Sequence, residues 1–161
     1  MKRSASPAID VMIESPLWQP DAETIVRRAI AAAVDEGSSR MGELAIVLAD
    51  DSAVRALNRD WRGMDKPTNV LSFPAAESAA DDEAPQLGDI VIAYETTARE
   101  AAAEGKTLND HLAHLAVHGF LHLLGYDHEA DGEADAMERL ETVILARLGV
   151  PDPYRVREPS I

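Results

Sequence analysis

The sequence contains no cysteine among its 161 residues, which excludes disulfide bonds and thiolate metal sites. This absence is compatible with a cytoplasmic compartment. Long apolar runs are also missing, since no stretch approaches the roughly 20 residues that a membrane-spanning helix needs. The N-terminal segment MKRSASPAIDVMIES has two basic residues but no apolar run of signal-peptide length. Together these absences predict a cytoplasmic protein with no membrane partner.

Basic side chains are scarce: 15 Lys and Arg stand against 29 Asp and Glu, for a net charge of -14. A field of this sign repels phosphate backbones and argues against non-specific nucleic-acid binding. One short stretch is the exception, with four cations: Arg55, Arg59, Arg62 and Lys66. This stretch is the first candidate for contact with RNA. A solvated helix face followed by a turn explains it equally well.

The apolar content, by contrast, is ample at 46%, which predicts a folded chain with a sizeable core. The alternating segment from Ala8 to Glu14 predicts an exposed or edge strand, and the apolar run from Leu44 to Ala49 predicts a buried central strand. Further strands are predicted at 70–73 and 88–93. Helices are predicted at 21–36, at 94–104, at 108–124, at 131–148, and in a short segment that ends near Arg59.

The resulting order, β-α-β-α-β-β-α-α-α, predicts an α+β fold in which helices pack on a small mixed β-sheet. No internal repeat or long linker divides the chain, so residues 1–161 are expected to form one domain. Residues 1–7 and 151–161 are expected to be irregular tails. The acidic, alanine-rich stretch 75–86 is predicted to be a mobile surface loop.

Histidines are the main chemical signal, because all five lie between positions 111 and 128. His118 and His122 are one helical turn apart, a rise of roughly 6 Å, so their imidazoles can reach a common ion. Gly125 can end the helix and turn the chain so that His128 becomes a third ligand. Three imidazoles and one open position are typical of catalytic zinc. We therefore expect one zinc ion per chain, although other first-row divalent metals suit imidazole too.

His111 and His114 lie on the same side of that helix. A single histidine on an apolar helix face is usually a hydrogen-bonded core or edge residue, and this is the role expected for both.

Gly119 separates this segment from the H-E-x-x-H metalloproteases, in which the corresponding glutamate is the general base. A peptidase would lack its proton acceptor here. The glycine is also expected to leave space beside the metal for a bulky substrate.

The segment HGFLHLLGYDH resembles the pattern H-G-x-L-H-L-x-G-x-D-H of the bacterial YbeY family. Members of this family are metal-dependent endoribonucleases, also described as rRNA maturation factors. The blocks WRGMDKPTNVLSFP, from Trp61 to Pro74, and LGDIVI, from Leu87 to Ile92, also resemble this family. The resemblance runs from about Leu44 to Leu148. It implies zinc ligation by His118, His122 and His128, and a functional arginine at Arg62.

The same resemblance implies cleavage of single-stranded RNA, maturation of the 3′ end of small-subunit 16S rRNA and ribosome quality control. The implied partners are rRNA and the ribosome or ribosomal proteins. Two other functions stay open from the residues alone. One is a non-catalytic ribosome assembly factor with a structural zinc, and the other is a zinc hydrolase that acts on peptides or small molecules.

Zinc-assisted hydrolysis of a phosphodiester fits these residues. The metal would lower the pKa of its bound water toward about 7, or it would polarise a phosphoryl oxygen. Arg62 suits the phosphate, since a guanidinium donates two parallel hydrogen bonds to it, and its structural alternative is an ion pair with Asp60 or Asp65. Asp127 has two open roles, as an acceptor that orients a ligand imidazole or as a cap of the turn. No residue is an obvious general base.

Thr68, Asn69 and Ser72 lie in the second block of this resemblance. They can contact RNA or build the turn into the strand, and the structural role is favoured.

Overall fold

The computed structural model describes residues 9–35, 43–75, 86–126 and 131–154. Within these ranges the helices and strands follow the predicted order. The elements are β1 (Ile9–Ile13), α1 (Ala22–Asp35), β2 (Glu43–Ala49), α2 (Asp51–Arg62), β3 (Val70–Pro74), β4 (Gln86–Ala93), α3 (Tyr94–Glu104), α4 (Leu108–Leu123) and α5 (Asp131–Arg147).

The four strands form one mixed sheet in the order β1-β2-β4-β3. β1, β2 and β4 are parallel, and β3 pairs antiparallel with β4. The apolar run that predicted a central strand is β2, and the alternating segment that predicted an edge strand is β1. The α+β class with a small mixed sheet and packed helices is therefore confirmed.

Helices cover both faces of the sheet. Successive side chains of a strand point to opposite sides, so a strand can place apolar residues on both faces for the helices to bury. Leu44, Ile46 and Leu48 of β2 belong to the larger core, which they share with α1, α4 and α5. Ala49 belongs to a smaller cluster that includes Val54 of α2. The helix that carries the histidines, α4, thus packs on the larger core, whereas α2 lies on the opposite face.

Gly119 lets α4 pack closely against β3 and β4. A Cβ atom at this position would lie 3.0 Å from Ile90 Cγ2, 3.1 Å from Ser72 Oγ and 3.4 Å from Val70 Cγ2. Ser72 Oγ also donates a hydrogen bond to the Gly119 carbonyl at 3.1 Å. The expectation that this glycine opens space for a substrate was wrong, because the space is filled by the sheet. Ser72 thus has a structural contact, which joins β3 to α4 rather than building the turn before the strand.

The largest differences between the predicted and observed boundaries are in α2 and β4. Helix α2 continues to Arg62. Gly63 then adopts a left-handed φ of 71°, its N–H donates to the Arg59 carbonyl at 3.1 Å, and the Met64 N–H donates to the Asn58 carbonyl at 3.2 Å. Strand β4 begins at Gln86, in the segment predicted as a loop, and Gly88 has a φ of 139° beside a register shift between β2 and β4. A Cβ there would collide with the Phe73 carbonyl, so only glycine fits.

Some predictions fall outside the described residues: the helix end at 36–37, most of the acidic stretch 75–86, and the tails 1–7 and 155–161. Residues 151–154 belong to no helix or strand, as predicted for the start of the C-terminal tail. In the ranges that the structure covers, every helix is too short or too polar to span a membrane.

Candidate metal centre

Helix α4 presents four histidines along one side, as their spacing predicted: His111, His114, His118 and His122. The helix begins at a capped end, where Thr107 Oγ1 accepts a hydrogen bond from the Asp110 N–H at 3.0 Å. His111 is buried with 3% of its surface exposed, and the other three are half-buried. The exposed fraction of the side chain rises along the helix, from 4% at His111 to 12% at His114 and 25% at His118.

His118 and His122 converge through their outer ring nitrogens. Their Nε2 atoms lie 3.0 Å apart, and the ring centroids are separated by 4.5 Å. Two imidazoles on a tetrahedral zinc ion, with Zn–N distances of about 2.0–2.1 Å, would place their nitrogens about 3.3 Å apart. Two nitrogen lone pairs come this close only when they share a cation or a proton. The observed spacing therefore fits a shared metal ion.

The inner nitrogen of His118 is engaged by Glu141. Glu141 Oε1 lies 2.9 Å from His118 Nδ1. An ionised carboxylate only accepts hydrogen bonds, so Nδ1 carries the proton and the Nε2 lone pair faces His122. This is the tautomer that a metal ligand needs.

Glu141 itself is fully buried in α5 and accepts from three donors. Besides His118, these are His114 Nε2 at 2.7 Å and Tyr154 Oη at 2.6 Å, both on Oε2. Burial alone would raise the pKa of Glu141, but the hydrogen bonds from His114, His118 and Tyr154 outweigh it and lower the pKa from 4.5 to about 2. Burial and the same carboxylate raise the pKa of Tyr154. Glu141 is thus an anion near neutral pH and Tyr154 a donor.

His114, His118 and Glu141 also form a group that could hold a metal ion, because one ligand atom from each lies within 4.8 Å of the others. The same atoms, however, are joined by hydrogen bonds of 2.7 and 2.9 Å. Imidazole and carboxylate ligands approach zinc to about 2.0–2.2 Å. The described residues therefore offer two overlapping donor sets, and only the His118 and His122 pair leaves the carboxylate with its hydrogen bonds.

His111 lies at the buried end of the row. Its Nε2 is 2.8 Å from Glu100 Oε1, and Asn69 Nδ2 donates to that oxygen at 2.9 Å. Burial lowers the pKa of His111, while the Glu100 carboxylate opposes this effect. The hydrogen-bonded role expected for His111 and His114 is confirmed, as is the structural role favoured for Asn69.

Two of the four candidate RNA-contacting cations form ion pairs with nearby acids. Arg55 pairs with Asp65 at 2.8 Å, and Arg59 pairs with Asp60 at 3.0 Å. Both acids proposed as structural partners of Arg62 are therefore occupied, and that alternative was wrong. Arg62 and Lys66 are exposed, and neither forms an ion pair with any residue that the structure covers.

Trp61, beside Arg62, is 73% exposed and contacts Phe73 edge-on with ring centroids 6.3 Å apart. No hydrogen bond or ion pair of the described ranges joins Arg62 to the histidines of α4. His128 and Asp127 lie outside the described residues, so their predicted roles stay predictions.

Glu141 and Tyr154 were not predicted from the sequence. Met137 and Ile144 are fully buried and lie on the inward apolar stripe of α5. Glu141 lies on that stripe, four residues after Met137. A carboxylate at an apolar position of an amphipathic helix was the signal that could have revealed it.

Comparison with known proteins identifies the family. The family model described as "Endoribonuclease YbeY" matches residues 12–149. The chain belongs to the YbeY family. A YbeY protein described as an endoribonuclease from a Bradyrhizobium species is 56% identical to it over 98% of both chains. Another, from Rhodopseudomonas palustris, is 59% identical over 96% of both chains.

A solved structure shows the same fold. The solution structure of TM1509 from Thermotoga maritima matches with a TM-score of 0.58 and 21% identity, over 95% of this chain and 99% of that one. The resemblance to YbeY proteins, first visible in the histidine segment, is confirmed. Membership of this family supports a hydrolase that acts on RNA.

Proposed function

We propose that this protein is a zinc-dependent endoribonuclease that cleaves single-stranded RNA during rRNA maturation. The observation that supports this most directly is the pair of Nε2 atoms of His118 and His122, which lie 3.0 Å apart. Glu141 contacts the other ring nitrogen of His118. His128 would be the third ligand, and one coordination position would stay open for water or phosphate. Imidazole ligands favour zinc among the ions present in cells, and other first-row divalent metals can replace it.

This donor set is preferred over the group of His114, His118 and Glu141. A metal bound by Glu141, which is fully buried, would have to displace hydrogen bonds from His114 and Tyr154. It would also leave the convergent Nε2 pair of His118 and His122 without a function. The His118, His122 and His128 set keeps every hydrogen bond of the carboxylate.

When bound, zinc would supply Lewis acidity, either to activate a water molecule or to polarise a phosphoryl oxygen. Arg62 would contact the phosphate, because its guanidinium is exposed, forms no ion pair within the described part of the chain, and can donate two parallel hydrogen bonds. Asp127 stays a candidate to orient a ligand imidazole or cap the turn.

We further propose that RNA lies along the end of α2. Trp61 exposes 73% of its surface, and a large aromatic ring in water is suited to stacking on a base. Arg62 and Lys66 follow it in the chain, are exposed, and would contact phosphates. Arg55 and Arg59 remain candidates as well, since exposed ion pairs contribute only about 0–1 kcal/mol and exchange easily for phosphate.

The specific substrate proposed is the precursor of 16S rRNA, processed at its 3′ end, with a further role in ribosome quality control in the cytoplasm. The match with the three YbeY motifs in this chain supports this assignment. The ribosome or its proteins would then bring the acidic enzyme to the RNA. Without such a partner, its net charge of -14 disfavours encounter with the substrate.

The test compares zinc-loaded protein, EDTA-treated protein, the same sample after zinc is restored, and the variant His118→Ala. Each is incubated with a single-stranded RNA oligonucleotide and with a peptide mixture. RNA cleavage is expected only in the zinc-loaded and zinc-restored samples. His111→Gln is the matched control on the same helix, because its amide can still donate to Glu100, and it should retain cleavage.

Equal cleavage in every sample would identify a contaminating nuclease and refute the proposal. RNA binding without cleavage by the zinc-loaded protein would instead support an assembly factor with a structural metal. Peptide cleavage would support a peptidase.

A further inference from the structure

Glu141 is the one fully buried carboxylate among the residues that the structure describes. A buried anion costs several kcal/mol unless donors surround it. Glu141 has such donors: His118 on one oxygen, and His114 and Tyr154 on the other. A side chain this costly to bury, and hydrogen-bonded this completely, needs an explanation beyond packing.

Its effect falls on His118. A neutral imidazole carries one N–H, and the carboxylate at 2.9 Å holds it on Nδ1. The Nε2 lone pair then points to His122, 3.0 Å away. Glu141 also orients the plane of the ring, since the Nδ1–H must point toward Oε1.

His114 differs from His118 in which nitrogen it uses. Its Nε2 contacts Glu141 Oε2 at 2.7 Å, and its Nδ1 is buried with no hydrogen-bond partner in the described residues. The Nε2 atom of His114 therefore contacts the carboxylate, whereas the Nε2 atom of His118 faces His122. His114 therefore supports Glu141 and does not extend the metal-binding pair.

Tyr154 comes from the segment after α5. Its N–H donates to Asp152 Oδ1 at 2.9 Å, and Thr142 Oγ1 donates to the same oxygen at 3.3 Å. This ties the segment back to α5 and places the Tyr154 ring edge-on against His114, with centroids 5.6 Å apart. The hydroxyl then donates to Glu141 Oε2 at 2.6 Å.

We propose that Glu141 is a positioning residue of the metal centre, which fixes the Nδ1–H tautomer of His118, and that Tyr154 locks Glu141 in place. The C-terminal segment around Tyr154 is thereby part of the centre and not a passive tail. This inference rests on the proposed function for the choice of His118 and His122 as ligands.

The experiment measures the zinc dissociation constant by competition with a chromophoric chelator, for wild type, Glu141→Gln, Tyr154→Phe and Asp135→Asn. Asp135→Asn is the matched control, because it removes one negative charge from an exposed position on the same helix. Glu141→Gln is expected to weaken zinc binding by about 10–100-fold, the usual effect of losing an orienting partner. Tyr154→Phe should weaken it less, and Asp135→Asn should leave it unchanged.

Two spectroscopic measurements distinguish a positioning role of Glu141 from direct metal ligation and from a purely stabilising role. In the zinc-loaded wild type, NMR should detect a hydrogen-bonded Nδ1–H on His118, and Glu141→Gln should shift this signal. X-ray absorption should show the same imidazole ligands in wild type and Glu141→Gln. Loss of an oxygen ligand in the variant would overturn the proposal, because it would make Glu141 a direct ligand.

Unchanged zinc affinity in both Glu141→Gln and Tyr154→Phe would also overturn it. If Glu141→Gln does not fold, Tyr154→Phe, which removes only a hydroxyl, decides the question. The proposed function fails separately: a wild type that binds zinc tightly but cleaves no RNA refutes the nuclease and leaves the positioning role intact.

Discussion

Arginines on a single helix differ in what their guanidinium groups contact. Arg55 and Arg59 pair with Asp65 and Asp60 at distances of 2.8 and 3.0 Å, and the hydrogen bond from Arg55 lowers the pKa of Asp65. Arg62, at the end of the same helix, forms no ion pair within the described ranges. Its donors are thus available to a phosphate without first breaking a contact. We therefore expect the loss of Arg62 to reduce RNA cleavage more than the loss of Arg55 or Arg59.

We expect Arg62→Ala to reduce RNA cleavage by about 10–100-fold, because hydrogen bonds to a charged group contribute about 1.5–3 kcal/mol. Zinc content and thermal stability should not change, since Arg62 is exposed. Arg55→Ala is the control and should have a smaller effect. Arg62→Lys should recover only part of the activity, because an ammonium lacks the planar pair of donors. Loss of zinc from Arg62→Ala would contradict this assignment.

At the level of elements, the metal centre depends on how closely α4 approaches the sheet. Gly119 lies one residue after His118, with Ile90 and Ser72 against its backbone. This contact fixes the depth and rotation of α4, and with them the side on which its histidines emerge. Gly119 lacks the carboxylate that an H-E-x-x-H peptidase uses as its general base. Its small size is also what allows α4 to pack against the sheet.

Gly119→Glu would recreate the peptidase motif, and we expect it to destabilise the protein without peptidase activity. Its Cβ would lie 3.0 Å from Ile90 Cγ2, and its carboxylate would enter the helix–sheet interface. A loss of about 3 kcal/mol or more in the free energy of unfolding, measured with urea, is expected. Gly132→Glu is the control, because nothing lies within 4 Å of a Cβ at that exposed position. Equal stability of the two variants would refute the packing role.

On the scale of the whole molecule, the charge distribution limits how RNA can bind. The chain carries a net charge of -14, yet Trp61, Arg62 and Lys66 are all exposed, and neither cation forms an ion pair among the described residues. Few phosphates can be neutralised by these cations. Base stacking should therefore contribute a larger share of the affinity than in a basic RNA-binding protein.

Binding of labelled single-stranded RNA should accordingly depend weakly on salt. If Arg62 and Lys66 neutralise two phosphates, log K should fall against log salt with a slope of about -1.4. Fluorescence anisotropy over a salt series measures this slope. Lys66→Ala should reduce its magnitude by about 0.7, whereas Trp61→Ala should weaken binding without changing the slope. A slope of about -4 or steeper would contradict the two-cation interpretation.

The sequence by itself determined those features that follow from local periodicity. The order of the nine elements, the edge position of β1 and the central position of β2 follow from the spacing of apolar residues. The convergence of His118 and His122 follows from the helical turn that separates them. The family also follows from contiguous motifs in the chain.

Only the tertiary structure decided which distant side chains meet. Glu141 reaches His118 across 23 residues of sequence, and Tyr154 joins them from beyond the last helix. The packing role of Gly119 and the occupied partners of Arg55 and Arg59 were likewise invisible in the sequence. Local spacing specifies the face of an element, but the partner of that face depends on how the helices pack on the sheet, which no single segment encodes.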